Sequence, residues 1–138
     1  YTQPGIYWVN LRAENSGGCA KDFTRPLEVR PLPQTGFYNG LICQQKSVAF
    51  YDTSSVVKDS LIKYYWDFGT GVLGDTSNVR NPAFSYSEPG DYVIKHKTIS
   101  SFGCEHTLSK LVKVDQQKAS SAGQFNKRLK CRELFVYQ

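Results

Sequence analysis

"YYWDFGTG", residues 64 to 71, is followed after a loop by "NPAFSYSEPGDYVI", residues 81 to 94. The first stretch begins as a strand. Tyr64, Trp66 and Phe68 share one parity, with Lys63, Tyr65 and Asp67 on the other, so the first set is predicted to face a core. Trp66 is the natural aromatic to bury against an opposite sheet. Asp67 ends the strand, where its carboxylate can accept hydrogen bonds from the N–H groups of the turn that follows. Gly69 and Gly71 permit the left-handed torsions such a turn needs. Pro89 and Gly90 suit the middle of a tight turn leading into a strand that starts at Asp91.

Working outward, the rest of the chain reads as strand and turn. "KSVAFYD" (46 to 52), "IKYYWDF" (62 to 68), "DYVIKHKTI" (91 to 99) and "SKLVKV" (109 to 114) are short and alternating, with Pro, Gly, Ser and Asn clusters between them. No stretch holds a helical period between caps. Aromatic content of 14%, with nine tyrosines and no methionine, suits a β-rich extracellular protein. Short strands at this spacing predict an all-β, immunoglobulin-like sandwich of two sheets.

The opening of the chain, "YTQPGIYWVN", returns as "YSEPGDYVIK" at residues 86 to 95, an offset of 85 residues. Tyr1, Pro4, Gly5, Tyr7, Ser16, Gly18, Cys19 and Val29 all recur at that offset, and Phe23, Arg25 and Leu27 meet Leu108, Lys110 and Val112. A second correspondence, 88 residues apart, relates Phe37, Cys43 and Val48 to Phe125, Cys131 and Val136. Internal repetition of this length marks an array of small modules. The expected organisation is residues 1–32 as the last strands of one unit, 33–116 as a complete unit and 117–138 as a linker and the first strands of a third. The polypeptide is therefore expected to extend in both directions. "RPLPQTG" (30 to 36) reads as a short stiff linker, because two prolines restrict it.

The ordered set Trp66, Asp67, Phe68, Gly69, Gly71, Pro82, Tyr86, Pro89, Gly90 and Tyr92 resembles the polycystic kidney disease (PKD) repeat. That family's pattern is a Trp-Asp-Phe-Gly-Asp-Gly turn followed by Pro, an aromatic, Tyr and Pro-Gly-x-Tyr. The resemblance covers most of residues 37 to 116, and residues 1 to 30 match the last two strands. It implies a PKD-like sandwich in which these residues are a folding signature. Thr70 stands where the family has a second acid, which weakens the case for a cation at the turn, and no cofactor is expected.

Each unit carries one cysteine near its first core strand (Cys43, Cys131) and one after its penultimate strand (Cys19, Cys104). If those positions share one end of a sandwich, Cys43 pairs with Cys104, and Cys19 and Cys131 pair with residues outside the segment. Such bonds imply an oxidising compartment, periplasm or cell surface. A zinc site is the competing reading, but Cys-x-x-Cys and His-x-x-x-His spacings are missing.

Catalytic signatures are equally sparse. No Gly-rich phosphate loop, nucleophile elbow or paired His/carboxylate motif is present, and Asp52, Asp59, Asp67, Asp75 and Asp91 scatter over turns and strand ends. His96 shares strand parity with Tyr92 and Ile94 and reads as a hydrogen-bonded core or border histidine. His106 reads as solvated surface. The net charge is +5, much of it from Lys118, Lys127, Arg128, Lys130 and Arg132. Those residues lack the interleaved aromatics of a nucleic-acid groove, so a solvated face or interdomain contact is expected, with no nucleic-acid partner. No run is long enough to insert into a membrane.

The expected function is a non-catalytic extracellular stalk or adhesion module. Its partners would be other domains of the same long chain, cell-envelope proteins or surface glycans. Cysteine-bearing PKD-like repeats resemble those of large cell-surface and type IX-secreted proteins of Bacteroidota, some serving gliding motility. Two alternatives remain: a structural part of an envelope secretion or motility complex, and an accessory domain of a secreted hydrolase. Exposed aromatics such as Trp8 or Tyr65 are the expected anchors for docking.

Overall fold

Alternation along the chain becomes ten β-strands, with no helix among the described residues. The computed structural model describes residues 1–116 and Cys131. Two compact units result, Tyr1–Leu32 and Pro33–Gln138. The expected start of a third unit at 117–138, and its basic cluster, lie outside the described residues except for Cys131.

The first unit is a long hairpin. Strands β1 (Gly5–Glu14) and β2 (Ala20–Val29) are antiparallel, running from Gly5↔Val29 to Glu14↔Ala20. Asn15 closes it: its side-chain oxygen accepts from the N–H groups of Gly17 and Cys19, and Gly18 supplies a φ of 79°.

The second unit is the sandwich. Strands β3 (Phe37–Asn39), β5 (Ser47–Asp52) and β8 (Ala83–Ser85) form a three-stranded sheet in the order β3-β5-β8. Facing it, β4 (Ile42–Cys43), β6 (Leu61–Asp67), β7 (Thr76–Ser77), β9 (Gly90–Ser100) and β10 (Glu105–Asp115) form a five-stranded sheet in the order β4-β10-β9-β6-β7. Only β4 runs parallel to its neighbour, β10, among the described pairings. Between the sheets lie Phe37, Phe50, Trp66, Phe68, Tyr86, Ile94, Val112 and Val114, all buried. Aromatic rings dominate this core, with Phe37, Phe50 and Phe68 all within about 6.3 Å of Trp66 or of one another. Each such side chain stabilises the fold by about 1.5–3 kcal/mol through burial alone. As the parity predicts, Trp66 and Phe68 are fully buried; Tyr64 is half-buried at the rim.

The linker expectation needs revision. Pro33 is buried, Gln34 and Ser55 exchange backbone hydrogen bonds of 2.8 and 3.0 Å, and Thr35 donates from Oγ1 to the His106 carbonyl. Residues 33–36 thus belong to the sandwich. Their peptide groups are satisfied by the Gln34–Ser55 bridge and by side chains, His106 Nδ1 accepting from the Thr35 N–H and Ser54 Oγ from that of Gly36, partners that a composition-based reading of Pro and Gly cannot foresee.

The disulfide expectation is also overturned. Cys43 is bonded to Cys131, with a Cα–Cα distance of 5.7 Å, while Cys104 and Cys19 are free thiols. Sheet geometry gives the reason. Cys43 pairs in register with Asp115, at the last residue of β10, whereas Cys104 immediately precedes Glu105, its first. Ten steps of about 3.4 Å separate those ends, and a disulfide tolerates a Cα–Cα span of only about 4.4–6.8 Å.

The sequence repeat persists as a repeat of hydrogen bonds. Gly5↔Val29, Tyr7↔Leu27 and Leu11↔Phe23 in β1–β2 answer Gly90↔Val114, Tyr92↔Val112 and His96↔Leu108 in β9–β10. Asn15 N–H donates to the Cys19 carbonyl as Ser100 N–H donates to that of Cys104. The Tyr7 hydroxyl donates to the Gln3 carbonyl at 2.8 Å, and that of Tyr92 to the Glu88 carbonyl at 3.0 Å.

Candidate functional site

The motif residues build a turn and its backing. The Asp67 carboxylate accepts from the Gly69 N–H at 2.9 Å, as its place at a strand end predicts. Gly69 has a φ of 75°, and a Cβ there would lie 2.3 Å from the Val93 carbonyl oxygen, so the position excludes any larger residue. Gly71 has a φ of 72°. Tyr86 is buried and donates its hydroxyl to the Phe68 carbonyl at 3.1 Å; burial pushes its phenol well above the ordinary tyrosine value. Pro82 is buried, Tyr92 packs against the core, and Pro89 and Gly90 sit exposed where β9 begins.

Sequence reasoning missed the acid that organises this turn. One oxygen of Asp75, Oδ2, accepts from the Thr70 N–H, the Thr70 hydroxyl and the Gly71 N–H, at 2.9, 2.8 and 2.8 Å. The Thr70 hydroxyl and these N–H groups outweigh the effect of burial and hold the Asp75 carboxyl below the usual carboxylate range. Thr70, which departs from the family pattern, is therefore the partner that Asp75 requires.

A second polar cluster crosses the core. His96 is fully buried; its Nε2 lies 3.0 Å from Asp52 Oδ1, and its Nδ1 lies 3.3 Å from the Tyr65 carbonyl. The Asp52 side chain is also buried. Oδ1 accepts from the Ser54 N–H at 3.0 Å, and Oδ2 from Arg80 Nε at 3.0 Å. Burial raises the Asp52 carboxyl, but hydrogen bonds from Ser54, His96 and Arg80 more than offset it and hold the group below its ordinary value. The exposed member of the cluster is Arg80, and the cluster ties the two sheets together. Among the described residues, no group of three His, Cys, Asp or Glu side chains could hold a metal ion.

Two surfaces face solvent with binding character. On the outer side of β6 and β9, Ile62, Lys63, Tyr65, Asn78, Lys97 and Ile99 line a shallow groove of about 510 Å³. Tyr65 is 43% exposed there, and Lys97 is held by Glu105 at 3.2 Å. In the first unit, Leu11 and Phe23 are 63% and 60% exposed on one face of the hairpin, and Trp8 is 71% exposed on the other. His106 is exposed as expected, and its Nδ1 accepts from the Thr35 N–H at 3.4 Å.

An all-β sandwich closed by this Trp-Asp-Phe-Gly turn has the fold of a PKD domain. The PKD1 domain of Vibrio anguillarum Epp superposes with a TM-score of 0.57 at 24% identity, over 64% of this chain and 99% of that one. The PKD1 domain of the Vibrio cholerae metalloprotease PrtV superposes with a TM-score of 0.55 at 29% identity, over 62% of this chain and 99% of that one. A structure of carbohydrate-binding modules of the β-sandwich superfamily has a TM-score of 0.57 at 24% identity, over 64% of this chain and 36% of that one. In sequence, the chain is 33% identical over 73 residues to the pre-pro-metalloprotease PrtV of two Vibrio cholerae O1 strains; that match is 53% of this chain and 8% of the length of the relative. No family model matches the chain.

Proposed function

We propose that this chain is a non-catalytic, extracellular spacing module: a PKD-type sandwich in a row of such sandwiches, making protein or glycan contacts through its exposed aromatics. One observation carries the reading. The β1–β2 hairpin repeats β9–β10 pair for pair, turn included, and in the sandwich the inner face of that hairpin completes a core. A second hairpin of the same kind implies a second core. In this reading residues 1–32 end a preceding unit, the sandwich follows, and residues beyond 116 lead to the next. The Cys43–Cys131 bond supports an oxidising setting. Cysteine-bearing units of this kind suit a cell-surface protein of the type IX-exported sort found in Bacteroidota, serving adhesion or gliding.

The test is the intact mass of the native protein with peptide mapping on both sides of this segment. Repeat-like peptides before Tyr1 and after Gln138 are the expected result. A native mass equal to the 15.6 kDa of this chain would replace the spacer with an assembly in which copies complete each other. The likeness to PrtV favours a second reading, an accessory module of a secreted hydrolase. It predicts peptides of a catalytic domain in the same map. In either setting, Tyr65→Ala should weaken binding to the native partner, since interface anchors are often aromatic; unchanged binding removes the groove from the contact.

A further inference from the structure

Laying β1–β2 over β9–β10 shows what the hairpin's inner face must meet. Tyr7, Val9, Leu27 and Val29 stand where Tyr92, Ile94, Val112 and Val114 stand, so most of the face keeps its character. The breaks are at the buried polar positions: Ala13 and Asn15 stand where Thr98 and Ser100 do, and Leu11, the one that meets a charged group, stands where His96 does. In the sandwich that position faces the buried Asp52, which takes one of its hydrogen bonds from His96. Leucine has no donor to offer, and a buried carboxylate stripped of a partner is strongly destabilising.

We propose that the inner face of β1–β2 is covered by the first half of another PKD-type sandwich, one with an apolar residue at the place of Asp52, and not by a second copy of this chain. The inference rests on reading β1–β2 as the closing hairpin of a preceding unit. The Asp52–His96 pair then acts as a matching device: the half-sandwich with the acid accepts the hairpin with the histidine, and the half-sandwich without it accepts the hairpin with leucine. Two units joined by a few residues, each ending in a hairpin of the same register, are otherwise prone to exchange hairpins. A buried polar mismatch against the wrong partner is the usual remedy.

The test is a chimera of the full chain in which residues 90–114 carry the sequence of residues 5–29 with Thr98 and Ser100 kept, a replacement of equal length and register that leaves the Thr35–Thr98 bond in place. Its urea midpoint, followed by circular dichroism, should fall about 1–2 M below that of the unaltered chain, as for a broken buried pair. Retaining His96 in the chimera, or adding Asp52→Leu to it, should each recover most of that loss. In the unaltered chain, Asp52→Leu should lower the midpoint by orphaning His96 Nε2. A chimera as stable as the parent overturns the inference while leaving the array reading intact, because the hairpins would then be interchangeable. Recovery with His96 but not with Asp52→Leu also overturns it, since Asp52 would not be the discriminating group. A loss that neither change recovers overturns the array reading itself, because β1–β2 would not be a hairpin of this sandwich type.

Discussion

Trp66 and His96, partners in register on β6 and β9, lie face to face with ring centroids 3.7 Å apart and planes 14° from parallel. This stack joins the aromatic core to the polar bridge: the indole contacts Phe37 and Phe50 on one side, and the imidazole reaches Asp52 in the opposite sheet. Trp66 therefore supports both the core volume and the orientation of His96. Trp66→Ala should cost about 3–5 kcal/mol in urea unfolding, and a loss under about 1 kcal/mol would contradict the burial.

The bridge predicts coupling across the sandwich. Asp52→Ala leaves His96 Nε2 without its partner and His96→Ala leaves Asp52 only Ser54 and Arg80, so each removes the same shared contact and their effects should not add. A double-mutant cycle should return a coupling of about 1–3 kcal/mol. Additive losses would show that the two side chains act independently despite their 3.0 Å separation.

Acid should weaken the motif turn through Asp75. Hydrogen bonds from Thr70 and Gly71 depress its folded-state pKa, so its contribution is fully present above the unfolded value of about 3.9 and is lost as pH falls through the lower folded value. Asp75→Asn should lower stability near neutrality by about 1.5–3 kcal/mol, the range for hydrogen bonds to a charged group. It should also make the fall in stability below about pH 4 shallower. Urea midpoints across that range check both parts; an acid limb as steep as that of the unaltered chain would assign the titration elsewhere, Asp52 being the next candidate.

The fold was legible because its signals are local. Alternation around Trp66, the glycines at 69 and 71 and the Pro89–Gly90 turn each constrain the backbone within a few residues. What escaped was set by distance across the sandwich. Asp75 lies in a loop, and nothing in its neighbourhood says that its carboxylate folds back on Thr70. Asp52 and His96 are 44 residues apart and meet only because β5 and β9 face each other. The inward parity of His96 was readable, and its partner was not. The cysteines show the same limit: their repetition was plain, but which end of the sheet each occupies depends on the register of β4 against β10.

That register gives the last prediction. Mapping of the unreduced protein should yield a peptide linking Cys43 to Cys131, with Cys19 and Cys104 alkylated without prior reduction. Cys19 is exposed and should react first; Cys104, half-buried, should follow more slowly. Closing a loop of 88 residues restricts the unfolded chain, and chain-entropy scaling puts the stabilisation at about 4.6 kcal/mol. Reduction should therefore lower the melting temperature of the full chain. A chain shortened to end at residue 116 has no partner for Cys43, so reduction should leave its melting temperature unchanged. A drop on reducing that shorter chain would mean that Cys43 had found Cys104 after all, and the parallel pairing of β4 with the far end of β10 would have to be redrawn.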